Sequence, residues 1–381
     1  MIPFIFFGLF IPLLGVYILF LVRIRQGIKY YQNHPEQPQT STDERPTVSV
    51  IVPMRDEERH VAQLVESLAA QQYPDDKYEI LLIDDGSTDA TSERATESIK
   101  GHPQFRIIQL GDEGGSKKRA IQAGIHESTG EVILTTDADC RHTPGWIASM
   151  VAALGRENAV IAGPVIVGDR ETLFHRIQAM EFLSLMGVGA GFFGIGYPRL
   201  CNGANLCYRK SAYEAADGFA GNEHVSSGDD EFLMHKIVYR EGGQAEFNHD
   251  QDAIVTTPPA DAVGAFLQQR IRWASKGRHY EDKRFVSFLV LLFVFEVFVA
   301  AMPLVAIFSP IAFFVTVILL MTKYSVDFMI LTDSAILLKQ PIRFGDFLLA
   351  ELLHPFYLVS VSILGAVNGT TWKGRRINSR K

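Results

Sequence analysis

Carboxylates in this chain collect in three short clusters, each placed directly after an apolar run. Asp56-Glu57-Glu58 follow residues 47–53, Asp84-Asp85 follow residues 78–83, and Asp137-Ala138-Asp139 follow residues 131–136. Carboxylates so placed can grip ribose hydroxyls and read base N–H groups. They can also hold a hard divalent ion, which takes one or two carboxylates and fills its shell with substrate phosphate oxygens. A further acidic pair, Asp229-Asp230, lies downstream, and Gln269-Arg270-Ile271-Arg272-Trp273 lies farther still. Guanidinium groups make bidentate contacts with phosphate oxygens, and a tryptophan offers a stacking floor for a sugar or acceptor.

The elements that must position these groups are legible as an alternation. Residues 47–53 and 78–83 are β-branched or aliphatic runs of strand length, and 105–110 and 131–136 are two more. Between them, Val61, Leu64, Val65 and Leu68 share one helical face, and 90–99 and 117–127 also read as helices. Such an alternation predicts an α/β domain with a mostly parallel sheet covered on both faces. Ligands of such sheets bind beyond the carboxyl ends of the strands, where the acidic clusters converge.

The ends of the chain are of different composition. Residues 1–22 carry no charged side chain and are long enough to span a bilayer, which takes about 20 residues. Arg23, Arg25 and Lys29 follow, which places the chain after this anchor in the cytoplasm. Residues 23–46, rich in Pro, Gln and Thr from 33 onward, read as a linker. Residues 285–322 contain Glu296 as their only charge and are interrupted at Ser309-Pro310, which suits two spans joined by a tight turn. Glu296 is either a functional group or the partner of a neighbouring helix. Residues 347–367 contain Glu351, His354 and Pro355 and read as a further span or a re-entrant helix. Four spans would leave the basic tail, 371–381, outside, against the charge rule, and 324–338 as an interfacial helix would change the count. The resulting division is an anchor (1–22), a linker (23–46), a cytoplasmic domain (47–284), C-terminal transmembrane helices (285–370) and the tail.

These motifs resemble the membrane-bound family 2 inverting glycosyltransferases, and the likeness covers most of the chain. Pro53-Met54-Arg55-Asp56-Glu57-Glu58 is similar to that family's first nucleotide loop, with Asp56 where asparagine is commoner. Asp84-Asp85-Gly86-Ser87 is similar to its second, and Ser116-Lys117-Lys118 to its Gly-Lys helix start, with serine replacing glycine. The resemblance implies a GT-A-type, Rossmann-like nucleotide-binding domain with flanking transmembrane helices. It implies that Pro53, Arg55, Glu57, Asp85 and Lys117 bind the nucleotide-sugar. Asp137 and Asp139 would form the D-x-D that holds Mg²⁺ or Mn²⁺. Asn202-Gly203-Ala204-Asn205 would line the donor sugar, with Gly203 and Asn205 as contacts. Gly228-Asp229-Asp230 stands where the family has Thr-Glu-Asp, making Asp230 the catalytic base and Asp229 a donor contact. Gln269, Arg270, Arg272 and Trp273 match its Q-x-x-R-W motif.

Each reading has a plainer companion. Ser227-Gly228-Asp229-Asp230-Glu231 also suits a helix start, where acidic side chains are stabilising, and both roles can hold together. The D-x-D could be a polar turn, and 269–273 could be a basic and aromatic collar at the interface. Gly187, Gly189, Gly191, Gly194 and Gly196 mark either an interfacial segment met by the acceptor or a flexible loop. His142, His224 and His249 lack metal-ligand spacing.

Composition limits the function classes. Apolar residues are 47% and charged residues 21%, with mean hydropathy +0.09, which suits a soluble domain with membrane segments. A net charge of −7 argues against nucleic acid as a partner. Three cysteines without C-x-x-C spacing suit a reducing compartment. The expected partners are a nucleotide-sugar, probed first as a UDP-sugar, a lipid or glycan acceptor, and the inner (plasma) membrane. The tail Trp372-Lys373-Gly374-Arg375 resembles that of ceramide-glucosyltransferase-type enzymes, favouring a lipid acceptor. A processive polysaccharide synthase is the alternative within the class. A nucleotidyltransferase would want a Gly-rich loop after the first strand, and a non-catalytic scaffold would be expected to lose some of the acidic set.

Overall fold

The computed structural model describes residues 1–34, 45–111, 115–223, 225, 227–367, 370–372 and 375–377. A long helix, α1 (Ile2–Asn33), leads into β1 (Val48–Met54), α2 (Val61–Ala69), β2 (Tyr78–Asp84), α3 (Thr91–Ser98), β3 (Phe105–Gln109), α4 (Lys117–Glu127) and β4 (Val132–Thr135). The second half of the domain holds β5 (Arg141–His142), α5 (Trp146–Leu154), β6 (Asn158–Ala162), β7 (Val165–Val167), α6 (Leu173–Gly194), β8 (Leu206–Arg209) and α7 (Lys210–Ala215). Then come α8 (Glu231–His235), β9 (Gln244–Phe247), β10 (Val255–Thr257) and α9 (Val263–Ser275). The chain ends with α10 (Lys283–Ala306), α11 (Pro310–Leu337), α12 (Phe344–Val367) and a small hairpin, β11 (Thr370–Trp372) with β12 (Arg375–Ile377).

The main sheet has the order β3-β2-β1-β4-β8-β6-β9. β3, β2, β1 and β4 are parallel, as the alternation predicts, whereas β8 enters antiparallel between β4 and β6. Every residue of β1 is buried, as expected of a central strand covered on both faces. Val61, Leu64, Val65 and Leu68 form the buried face of α2. β5, β10 and β7 make a separate three-stranded sheet.

Among the described residues, five helices are long and apolar enough to cross a membrane: α1, α6, α10, α11 and α12. Three sequence expectations change here. Residues 23–33 are not linker; they continue α1. The helix keeps a packed face through Ile24, Ile28 and Tyr31. Its charges are answered by buried Asp333 of α11, which lies 2.6 Å from Arg25 Nε and 2.8 Å from Lys29 Nζ. Residues 35–44 of the expected linker lie outside the described residues. Residues 324–338 are not a separate interfacial helix either, since α11 runs unbroken through them to Leu337.

The third change concerns the glycines of 187–196: Gly187, Gly189, Gly191 and Gly194 sit in the C-terminal half of α6 and not in a loop, and Gly196 lies in the turn just after it. Those within α6 are needed for close approach. A Cβ on Gly191 would stand 2.6 Å from Ile24 Cγ2 and 2.7 Å from the Ile24 carbonyl oxygen. One on Gly194 would strike the Gly27 carbonyl, and one on Gly187 would strike Ser334 Oγ. Small residues let helix backbones meet in this way. Gly191→Leu is expected to cost about 1–3 kcal/mol or more by overpacking. It should appear as a lowered unfolding temperature of the detergent-solubilised protein, whereas the same change at Gly8, which has open space around its Cβ, should not.

Polar groups bind the bundle together at mid-length. Lys323, 1% exposed, lies 2.7 Å from Asp327, 2.8 Å from Glu351 and 3.9 Å from Glu296, and Tyr17 donates to Asp327 at 2.6 Å. Glu296 thus meets a neighbouring helix, the second of its two expected roles.

α12 is bound to the catalytic domain at several points. Near its start, Asp346 pairs with Arg176 of α6 at 2.6 Å, and Tyr357 donates to Glu181 of α6 at 2.8 Å. Near its end, Gly365 packs on Ile271, Ala274 and Ser275 of α9, and β11 also meets α9. α12 is thus tied to α6 and α9 along its length, and by length and composition it is one of the five helices able to cross a membrane.

Candidate active site

The loops after β1 and β2 are built as one unit. Asp56 takes a left-handed backbone (φ 50°), and its Oδ1 accepts from the Thr88 amide at 2.8 Å. The Glu57 amide donates to Thr91 Oγ1 at 2.7 Å, and Arg55 Nη1 donates to the Asp85 carbonyl at 2.5 Å. Asp84 turns back on Ser87, accepting from its amide and hydroxyl. Asp85, fully buried, accepts from the Gly115 amide at 2.8 Å, next to the start of α4.

From α4, Lys117 Nζ reaches Asp137 Oδ1 at 2.7 Å and Asp229 Oδ2 at 3.1 Å. Burial pulls the Lys117 pKa down, but Asp137 and Asp229 outweigh it and hold the ammonium well above its ordinary value. Burial works against the Asp229 carboxylate too, yet Lys117 and Lys118 keep its pKa below the usual range. Lys118 donates to the carbonyls of Asn222 and Val225 at 2.7 and 3.0 Å, tying α4 to the segment that leads to Asp229.

Asp230 is the N-cap of α8. Its Oδ1 accepts from the Glu231 amide at 2.7 Å and its Oδ2 from the Gly203 amide at 2.9 Å. A Cβ on Gly203 would come within 2.8 Å of Asp229 Oδ2, so only glycine fits beneath the pair. Capping and a position at the cleft are therefore held by the same side chain.

The D-x-D follows β4. Burial, then the charges of Asp137 and Glu57, push the Asp139 carboxyl up to about 6. Like charges crowded in this way favour a cation. Among the described residues no group of three or more His, Cys, Asp or Glu side chains is arranged to hold a metal ion. The pair suits an ion of the Mg²⁺ type, which completes its shell with substrate phosphate and water.

One cleft joins these groups to the helices below. Its lining includes Lys117, Asp137, Asp139, Asp229 and Asp230 on one side and Gln269, Arg270, Arg272, Trp273 and Lys276 on the other. The family model of the glycosyl transferase family 2 matches residues 49–215, spanning β1 to α7. The chain carries a family 2 glycosyltransferase domain.

A Bacillus subtilis protein named probable glycosyltransferase YdaM is similar to this glycosyltransferase, 26% identical over 297 residues, 74% of this chain and 68% of that one. The dodecaprenyl-phosphate galacturonate synthase of Rhizobium johnstonii is 40% identical over 112 residues, which cover 29% of this chain and 32% of its own length. Among solved structures, the mannosyltransferase PcManGT from Pyrobaculum calidifontis, in complex with GDP-Man and Mn²⁺, aligns at a TM-score of 0.55 and 18% identity. That alignment covers 90% of this chain and 99% of that one. The shared fold is the GT-A-type α/β domain.

The glycosyltransferase does not place all its sequence-derived site residues alike. Pro53 is buried within β1, paired in register with Ile83. Arg55, Glu57 and Asp85 build the loop frame described above. Asn205 is a core residue: its amide donates to the Pro164 and Ala253 carbonyls and its oxygen accepts from Trp146 Nε1. It is fully buried and does not line the donor sugar; all its hydrogen-bonding capacity toward the cleft is spent inward.

Arg270 is also turned away from a phosphate role. It is buried and forks onto Glu181 through Nε at 3.1 Å and through Nη2, with the Trp273 ring 4.2 Å from its guanidinium carbon. The same stacking occupies one face of Trp273. Arg272 has no ion-pair partner among the described residues, and the acidic groups nearest it electrostatically are Asp229, Asp137 and Asp230. Arg272→Gln is expected to weaken nucleoside diphosphate binding about tenfold or more, the value of a charge-assisted hydrogen bond, in calorimetric titration. Arg270→Gln, which strands a partly buried Glu181, should instead lower stability by on the order of 3 kcal/mol, read as an earlier unfolding midpoint.

Sequence reasoning missed three groups. Lys276, seven residues after Gln269, lies on the same helical face two turns on, and pairs with buried Glu231 at 2.8 Å. Tyr280 donates to the same carboxylate. Helical periodicity beyond Trp273 would have found Lys276. Phe182, Leu185 and Met186 of α6 form the apolar wall of the cleft, with no signal separating them from core residues. His142 bonds Thr136 in the interior, and His224 lies outside the described residues.

Proposed function

We propose that this enzyme transfers a sugar, with inversion, from a nucleotide donor to a lipid or lipid-linked acceptor at the cytoplasmic face of the plasma membrane. The observation that carries the reading is the two-sided cleft. One end gathers Asp137, Asp139, Lys117, Asp229 and Arg272; the other is walled by Phe182, Leu185 and Met186 of a helix that packs against α1 and α11. The first end offers what a nucleoside diphosphate needs, and the second is apolar and continuous with the membrane bundle.

Asp85 and the loop frame of Arg55 and Glu57 suit the nucleoside, with UDP the first to test. Arg272 suits the diphosphate oxygens. Lys117 holds Asp137 and Asp229 together so that neither swings into the sugar's place. A Mg²⁺ or Mn²⁺ ion bound through Asp137 and Asp139 supplies Lewis-acid neutralisation of the charge that builds on the departing diphosphate. Asp230, held by two main-chain amides, keeps lone pairs toward the cleft to take the acceptor's proton as general base. Orientation toward the cytoplasm rests on the basic residues after the anchor and at the start of α10, among them Arg23, Arg25, Lys283 and Arg284.

The test is incubation of the detergent-solubilised protein with labelled nucleotide-sugars, a lipid extract and Mg²⁺ or Mn²⁺, followed by thin-layer separation. A single organic-soluble glycolipid is expected. A ladder of water-soluble polymers would overturn the acceptor half of the reading, and absence of any donor turnover would overturn the whole.

A further inference from the structure

The cleft's charges divide unequally between its ends, and this bears on which group of the acceptor reacts. Three of the four cations in its lining are already matched. Lys117 lies against Asp137 and Asp229, Arg270 against Glu181, and Lys276 against Glu231. Arg272 remains, and the donor diphosphate claims it. Around the reacting end, Asp230 carries a charge with no cation in direct contact among the described residues, beside the Glu231–Lys276 pair.

We propose that the acceptor group is a neutral alcohol hydroxyl of a lipid and not a lipid phosphate; this deepens, and rests on, the lipid-acceptor reading above. A phosphate monoester entering past Phe182 and Met186 would bring one to two negative charges beside Asp230, in a cleft whose one cation without an ion-pair partner among the described residues, Arg272, is taken by the donor diphosphate. Like charges at such range in a partly desolvated cleft repel strongly. A divalent ion at Asp137 and Asp139 does not alter this, because its charge answers the donor's diphosphate. A hydroxyl is different. It brings no charge, it donates its hydrogen to Asp230, and its alkyl body meets the apolar wall of α6.

The chemistry agrees with the groups present. The hydroxyl oxygen's lone pair forms the new bond to the anomeric carbon as the carbon–oxygen bond to the diphosphate breaks. The electron pair of that bond leaves on the diphosphate, and the hydroxyl proton passes to the Asp230 carboxylate, which later releases it to water. A phosphate monoester in its dianionic form, which dominates at neutral pH, has no proton to give and leaves the base without work. The two amides that fix Asp230 orient it for a step that only a hydroxyl acceptor requires.

The test uses the full-length enzyme in phosphatidylcholine vesicles with its labelled donor and, in parallel, 1,2-diacylglycerol, a polyprenyl phosphate, or a soluble disaccharide. Transfer to diacylglycerol at least tenfold faster than to polyprenyl phosphate is expected, with a product stable to mild acid. Equal or faster transfer to polyprenyl phosphate, giving an acid-labile sugar phosphodiester, would overturn the proposal. Transfer to the disaccharide alone would leave the hydroxyl standing and remove the lipid. Donor hydrolysis with no transfer to any of the three would overturn the assignment of the acceptor, and an inert donor would overturn the reading beneath it.

Discussion

Asp230→Asn should lower kcat for sugar transfer by about 10²–10⁴-fold, the usual contribution of a positioned general base, with little change in nucleoside diphosphate affinity. The asparagine oxygen can still accept from one of the two amides, Glu231 or Gly203, that now fix the carboxylate. The cap of α8 is therefore only partly weakened, and loss of a cap costs about 1 kcal/mol. That difference separates the two roles of the residue. If its work were capping alone, the variant would lose a few degrees of stability and keep its turnover. Steady-state kinetics beside a calorimetric titration decides the matter, and turnover within threefold of wild type would remove Asp230 as the base.

Removal of divalent metal should be the other large effect. Chelation is expected to stop transfer, with recovery on adding Mg²⁺ or Mn²⁺. Asp139→Asn should reduce kcat/KM by about 10²–10³-fold, since Lewis-acid stabilisation is worth several kcal/mol and each 1.36 kcal/mol is a factor of ten. A second readout does not depend on turnover. In wild type, Mn²⁺ should tighten nucleoside diphosphate binding; in Asp139→Asn it should not. Asp137→Asn is expected to act on two things at once, because Asp137 also holds Lys117. Its loss frees that ammonium to lean wholly on Asp229. Transfer that survives exhaustive chelation would sink the metal assignment.

What the sequence reveals follows from how local each signal is. The strands before the acidic clusters and the helix of residues 117–127 are legible to within a residue or two, because strand runs and amphipathic faces are local patterns. β8 is not, since its insertion between β4 and β6 depends on pairing with strands well separated from it in the chain. The glycines of α6 mislead for a related reason. Taken singly a glycine weakens a helix, and its compensation here comes from α1 and α11, more than a hundred residues away. Arg270 and Arg272 could have been told apart. Two residues on a helix turn through about 200°, so one guanidinium had to face the interior if the other faced the cleft. Which one did so depends on Glu181, which no local pattern links to α9. Asn205 shows the limit of residue type: the same amide that could bind a sugar here joins three segments of the core.

α6 leaves a mark on how such an enzyme can change over time. It supplies one wall of the cleft and, through Gly187, Gly191 and Gly194, the surface on which α1 and α11 rest. A protease cutting after Asn33 and before Lys283 would release no soluble transferase, because the fragment would take this bare glycine-lined face with it and clump. Recombination meets the same obstacle. A catalytic half moved onto a foreign anchor would arrive with a helix cut to fit partners left behind, so the two halves are bound to be inherited as one.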